Sequence, residues 1–198
     1  MSNKIKIVFA SKNNGKTREA QALLADTGFE LVPLSAYENI PDIVEDGDTF
    51  FANAYKKAKG IAELTGEMAL ADDSGLEVAF LAGSPGVHSA RYAGEDASDE
   101  DNMRKLLTTL DGVPQAQRGA AFVCCLVLYK TPIEFTAFEG RLTGEICEQA
   151  HGNSGFGYDP VFFLPHRKLT AAQLSLDEKN KISHRAQAFA KLKAYLLK

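Results

Sequence analysis

The chain has 198 residues, of which 45% are hydrophobic and 24% charged, and a formal net charge of −4. That length suits one domain, residues 1–198, with room for two lobes and a substantial core. The acidic balance argues against a nucleic-acid or anionic-membrane binder, because neither polyanion is attracted over a broad surface.

Other classes are excluded along the chain. Cys124, Cys125 and Cys147 lack C-x-x-C spacing, and two are adjacent in an apolar run. They read as reduced, buried thiols rather than a redox or metal set. No apolar run approaches the roughly 18 residues of a membrane span, and the start "MSNKIKIV" lacks a secretory core. A cytoplasmic protein is expected.

Strand-like and helix-like segments alternate in the first half. "KIKIVFA" reads as a strand and 16–27 as a helix closed by Gly28, with Ala20, Leu23 and Leu24 on one face. "FELVPL" reads as a second strand, and 35–47 as a loop with an acidic end. In "DTFFANAYKKAKGIAELTG", Phe51, Ala54, Ala58 and Ile61 recur at helical spacing and leave Asn53, Lys56 and Lys57 on other faces. "MALAD" predicts a strand that Asp72 and Asp73 close, and "LEVAF" an extended piece. Residues 83–97 read as a long ordered loop, followed by a capping box of Ser98 and Asp101 opening a helix.

In the second half "GAAFVCCLVLYK" and "IEFTAFEGRLTGEI" suggest a hairpin turning at "TP", with Ile133 and Phe135 alternating against polar neighbours. After the glycine-rich "HGNSGFGYDP" and the apolar "VFFLP", a terminal helix is predicted with Ile182, Ala186, Phe189, Leu192 and Leu196 in one stripe. The pattern is α/β with a mixed sheet, and a second lobe would come from the middle hairpin region.

Several stretches carry chemistry. "SKNNGKT" follows a strand and opens a helix, whose unpaired N–H groups suit a phosphate. It is not a Walker loop, because Ala10 stands where the first glycine belongs. An ordinary strand-to-helix turn accounts for it equally well. "LADDSG" places two carboxylates at a predicted strand end, where ligands of open α/β sheets sit. One or two carboxylates plus substrate phosphates suit Mg²⁺, and Glu45 in "VEDGDTF" is a candidate second ligand; a capped turn is the alternative. Lys16, Lys56, Lys57 and Arg91 could converge on phosphates or remain solvated surface charges. "SGFGYDP" offers Phe156 for stacking and Asp159 as an acceptor, or a core aromatic beside a glycine turn. His88, His151, His166 and His184 show no metal-ligand spacing.

Taken in order, "SKNNGK", "DTFFANAYKKA", "ADDSGLEV", "PGVHSARYAG", "GFGYDPVFF" and "ISHRAQA" resemble the noncanonical purine NTP pyrophosphatases, the dITP/XTP pyrophosphatase or inosine triphosphatase family. The resemblance runs from about residue 5 to the last helix. It implies a two-lobed α/β fold, a mixed central sheet flanked by helices, a cleft between lobes, and commonly a homodimer. The implied reaction is Mg²⁺-dependent hydrolysis of dITP, ITP or XTP at the α–β phosphoanhydride. By the same resemblance Ser11, Lys12, Asn13, Asn14, Gly15, Lys16 and Lys57 contact the triphosphate, with Asn53 nearby. Glu45 and Asp73 hold or neighbour the metal, Asp73 is the proton acceptor for the attacking water, and Ser74 touches substrate. Phe156, Gly157, Tyr158, Asp159, Lys179, His184 and Arg185 match nucleoside-binding positions. Lys12 stands where some relatives have glycine, and Tyr158 where some have tryptophan. A hydrolase of another nucleotide and a non-catalytic nucleotide sensor are the competing readings.

Overall fold

A computed structural model describes residues 5–25, 27–131 and 134–198. Seven strands form one sheet in the order β2-β1-β3-β4-β5-β6-β7. They are β1 (Ile5–Phe9), β2 (Phe29–Pro33), β3 (Ala69–Val78), β4 (Gly119–Thr131), β5 (Glu134–Ile146), β6 (Phe162–Leu164) and β7 (Leu169–Thr170). Helices are α1 (Asn14–Leu24), α2 (Phe50–Thr65), α3 (Asp99–Thr109), α4 (Leu176–Ile182) and α5 (His184–Leu196). β1 pairs in parallel with β2 and β3, whereas β6 pairs antiparallel with β5 and β7, so the sheet is mixed as expected. Lys4, Asp26 and the turn at Pro132 and Ile133, all part of the predicted elements, lie outside the described residues.

The chain divides into two compact units. One comprises Met1–Asp73, Cys124–Gly140 and Arg185–Lys198, the other Ser74–Val123 and Arg141–His184. The second unit is therefore not the middle hairpin region, since Cys124–Gly140 belongs to the first.

In the first unit the two-residue period of the strands sorts side chains into two cores. Ile7, Phe9, Leu70, Cys124, Leu126 and Leu128 pack with Ala20 and Leu24 of α1 and Ala188, Phe189 and Leu192 of α5. Their neighbours Val8, Ala69, Ala71, Cys125, Val127 and Tyr129 pack with Ala54, Ala58, Ile61 and Ala62 of α2. Each fully buried Leu, Ile or Phe contributes roughly 1.5–3 kcal/mol relative to exposure. Local signals fix the helix ends. Asn13 caps α1 by accepting from the Lys16 N–H at 3.0 Å, and Thr49 caps α2 through the Ala52 N–H at 3.1 Å. Gly66, at φ +71°, closes α2 in the left-handed conformation that glycine adopts without strain. α1 ends at Leu24, earlier than the glycine at 28 suggested, with Ala25 as its cap.

The second unit has its own core, in which Leu76, Val78, Phe122, Ile146 and Phe162 pack with Leu106 and Leu110 of α3. The expected capping box opens α3: Asp101 N–H donates to Ser98 Oγ at 3.1 Å and Ser98 N–H to Asp101 Oδ2 at 3.1 Å. The predicted terminal helix is two helices. Ser183, at ψ 157°, breaks it. Ile182 accordingly packs with the second unit's core rather than with Phe189 and Leu192. Phe51 also departs from expectation. It is 40% exposed and stacks on Tyr55, while Asn53 is buried.

Candidate active site

The turn after β1 is built by its own polar side chains. Asn13 N–H donates to Ser11 Oγ at 3.2 Å, and Thr17 Oγ1 donates to the Asn13 carbonyl at 3.0 Å. Gly15 lies inside the first turn of α1 rather than ending the preceding loop, so the segment has no phosphate-wrapping glycine loop. Lys12 is largely exposed and pairs with Asp42. Lys16 instead turns inward, its side chain 15% exposed, and reaches Asp72 Oδ1 at 2.6 Å.

Asp72 and Asp73 do not close a strand, because β3 continues to Val78. What ends near them is the parallel partner: β1 pairs with β3 only as far as Leu70. The carboxylates thus lie just past the carboxyl end of β1, still inside a regular strand, and the strand period sends them to opposite faces. Asp72 shares the parity of Leu70 and points towards α1 and α5. Asp73 shares the parity of Ala71 and points towards α2.

On the α1/α5 face Asp72 is fully buried and receives Lys16, Arg185 Nε at 2.7 Å and the Cys124 thiol at 3.3 Å. Arg185, 1% exposed, also pairs with Glu19, itself 3% exposed. Burial pushes the Asp72 carboxyl up, but the Arg185 and Lys16 charges outweigh it and hold the group well below the usual carboxylate range. Burial and the neighbouring Asp72 charge push the Cys124 thiol well up, which leaves it a neutral donor. Cys125 is likewise pushed up to about 12, chiefly by burial. All three cysteines are unbridged; Cys147 is half-buried rather than buried.

On the α2 face the balance differs. Lys57 Nζ donates to Glu45 Oε2 at 2.7 Å and to the Asp72 carbonyl at 2.9 Å, and lies 3.7 Å from Asp73 Oδ1. Asn53 and Gly47 exchange hydrogen bonds of 2.8 and 3.3 Å, pinning the Glu45 loop to α2. A Cβ on Gly47 would fall 2.8 Å from both Asn53 Oδ1 and Ala52 Cβ, which explains glycine there. Asp73 Oδ2 is buried with no hydrogen-bond partner. Desolvation raises the Asp73 pKa against the pull of Lys57 and Lys16, with Glu45 adding to the rise. Two carboxylates, one with an orphaned oxygen, fit one divalent cation that completes its shell with water and phosphate oxygens. Among the described residues no group of three or more His, Cys, Asp or Glu side chains gathers as a metal site. Mg²⁺ does not need one.

The second unit holds a separate cluster. Lys179, on α4, is buried and donates to Asp159 Oδ2 at 2.6 Å, and its Nζ sits 4.7 Å from the Phe156 ring centroid. The Phe156 N–H donates to the same Asp159 oxygen at 2.9 Å. Gly155, at φ +83°, brings its backbone so close that a Cβ would overlap this carboxylate. Gly157 N–H donates to Asp99 Oδ2 at 2.7 Å, tying the loop to the first turn of α3. Tyr158 is buried and its hydroxyl donates to the Ser89 carbonyl at 2.9 Å, so this side chain is a core member. His184 is buried and stacks on Phe122 at 5.0 Å. Ser74 is half-buried on β3.

The expected residues therefore fall into two groups. Lys16, Glu45, Asn53, Lys57 and Asp73 come together in the first unit; Phe156, Asp159 and Lys179 do so in the second. Arg185, expected among base-contacting donors, has its guanidinium engaged by Asp72 and Glu19 in the first unit. Lys56 pairs with Asp46, and Arg91 with Glu95. Asp72 as the anchor of Lys16, and Glu19 behind it, escaped sequence reasoning. The alternation of "ALADD" was the available signal for the first, and nothing local signalled the second.

Residues 7–195 match the Ham1 family. A dITP/XTP pyrophosphatase of Vibrio vulnificus (strain YJ016) is 50% identical over 196 residues, covering 96% of each chain. One from Bacillus licheniformis is 47% identical, covering 96% of this chain and 97% of its own. Among solved structures, a HAM1 protein from Coxiella burnetii shares 42% identity with a TM-score of 0.89 over 98% of both chains. The Staphylococcus aureus Ham1 protein shares 41% with a TM-score of 0.86, covering 96% of this chain and 97% of its own. With its mixed sheet, its paired carboxylates on β3 and this near full-length similarity, the chain belongs to the Ham1 family.

Proposed function

We propose that this protein hydrolyses noncanonical purine nucleoside triphosphates, dITP, XTP and ITP, at the α–β phosphoanhydride, releasing the monophosphate and pyrophosphate. The observation that carries the reading is near full-length similarity to relatives named for that activity. The buried Asp73 carboxylate, with an unpartnered oxygen beside Lys57 and Glu45, supplies matching chemistry.

Lys16 and Lys57 supply positive charge for a triphosphate, and the Ser11–Lys16 turn adds the N-terminal N–H groups of α1. Glu45 and Asp73 would hold Mg²⁺, which when bound would neutralise phosphate charge and stabilise the pyrophosphate leaving group. Asp73 is also suited to accept the proton of the attacking water, being a buried carboxylate with one oxygen left without a hydrogen-bond partner. In the second unit, Phe156 offers a ring for a purine and Lys179 a donor that pairs with a carbonyl at C6. Adenine, which carries an amino group there, would leave that donor facing another. A site built this way can reject the mismatched base by about 10⁴–10⁵. Arg185 secures Asp72.

Among the described residues no helix is long and apolar enough to cross a membrane. Action on the cytoplasmic nucleotide pool, as a homodimer, completes the proposal. The test is incubation with Mg²⁺ and, separately, ITP, dITP, XTP, dUTP, ATP and GTP, with product analysis. Pyrophosphate from the first three is expected. Orthophosphate, or preferential cleavage of dUTP or ATP, would refute the assignment.

A further inference from the structure

Glu19 is a buried acid with no place in the chemistry described so far. It sits one helical turn after Lys16 on α1, so both side chains project from the same face. Lys16 grips Asp72 Oδ1, Arg185 Nε grips Asp72 Oδ2, and Arg185 Nη1 pairs with Glu19. The helix joins Glu19 back to Lys16. Four charges, two of each sign, thus form a closed ring that one helix enters twice. Its inner three members are each no more than 3% exposed.

We infer that Glu19 is a positioning residue for the hydrolytic reaction, acting through Arg185 and Asp72 to fix the Lys16 ammonium where phosphate charge must be met. The inference rests on the activity proposed above. The physical reason is charge balance in a dry site. Without the Glu19 charge, Arg185 loses an anionic partner, and in low dielectric its attraction to Asp72 draws that carboxylate closer. Lys16 then loses the partner that sets its place. Displacement of a positioned group by about 1 Å can cost about 100-fold in rate.

A general structural role predicts something different, namely less folded protein with the same activity per folded molecule. A double-variant cycle separates the two. Wild type, Glu19→Gln, Lys16→Met and the double variant are compared by single-turnover hydrolysis of ITP with Mg²⁺ and excess enzyme, normalised to folded protein by urea unfolding. Glu19→Gln is expected to lower the rate about 10- to 100-fold, mainly in kcat, and to cost less than about twofold once Lys16 is already Met. Glu19→Asp keeps the charge but withdraws it by one methylene. It serves if Glu19→Gln does not fold, and is expected to show the same dependence on Lys16. An equal factor in both Lys16 backgrounds, or a wild-type rate per folded molecule, would overturn the inference. Wild type that leaves every purine triphosphate intact would overturn the activity and the inference together, whereas an active wild type with an additive cycle sinks only the role of Glu19.

Discussion

Replacing Lys179 by methionine tests how the second unit's cluster is held. The change keeps the stem of the side chain and removes the ammonium that Asp159 Oδ2 accepts from at 2.6 Å. The two side chains are only 7% and 3% exposed, so water does not take the place of the lost partner. Breaking a buried pair from one side costs about 3–5 kcal/mol. Asp159 still receives the Phe156 N–H, which favours the lower end, about 3 kcal/mol. For a chain of this size that corresponds to a fall in Tm of about 6–12 °C. Urea unfolding of Lys179→Met, Asp159→Asn and the double variant gives the coupling directly. The double variant, which buries no net charge, is expected to recover at least about 1 kcal/mol over Lys179→Met alone. A loss below about 1 kcal/mol for Lys179→Met, or strict additivity, would refute the view of this pair as a buried anchor. In the same variants the ratio of kcat/KM for ITP over ATP should fall, and an unchanged ratio would remove Lys179 from base reading.

Asp73→Asn should leave stability at neutral pH unchanged or slightly higher, because it relieves an ionised, desolvated carboxylate whose Oδ2 has no partner. Turnover should drop by about 10²–10⁴, and near-normal steady-state hydrolysis would contradict its role. Gly155→Ala faces a left-handed φ of +83° and an overlap with Asp159; the conformation alone costs about 1–2 kcal/mol, and the shifted loop should raise KM for ITP, so unchanged KM and urea midpoint would disprove the account. Asp72 has its folded-state pKa depressed by Arg185 and Lys16 against burial. Its contribution to stability is therefore present above the ordinary carboxylate range and lost as pH falls through the lower folded value. Urea midpoints measured from about pH 5 to about pH 2 should decline in wild type and less steeply in Asp72→Asn; parallel curves would exclude the effect.

The parts of the fold that local rules govern were legible. The Ser98/Asp101 box opens α3 as read, because capping is decided within four residues. "DDSG" was misread as a strand end, since Asp, Ser and Gly favour turns in isolation. β3 carries on because Lys16, Arg185 and Lys57, none of them sequence neighbours, compensate the two acids. Phe51 and Asn53 exchanged expected places for a related reason. The helical pattern ranks residues by apolarity, whereas the Gly47 loop gives buried Asn53 its partners and Phe51 finds aromatic ones at the surface. Glu19 beside Lys16 looks like an exposed helical pair. Arg185, 166 positions later, pairs with it in the core. The Ser183 break was hidden in the same way, because apolar spacing continues across it.

The opposed facing of Asp72 and Asp73 makes β3 behave like a reading frame. Deleting one residue between Ala69 and Asp72 would carry the second acid to the place beside Lys16 and Arg185, and inserting one would carry the first acid to the place beside Asn53 and Lys57; either change turns both acids to the opposite face although every side chain type survived. Substitutions at Leu70 or Ala71 would be felt as ordinary packing defects, but a change in strand length would be felt as a swap of chemical duties.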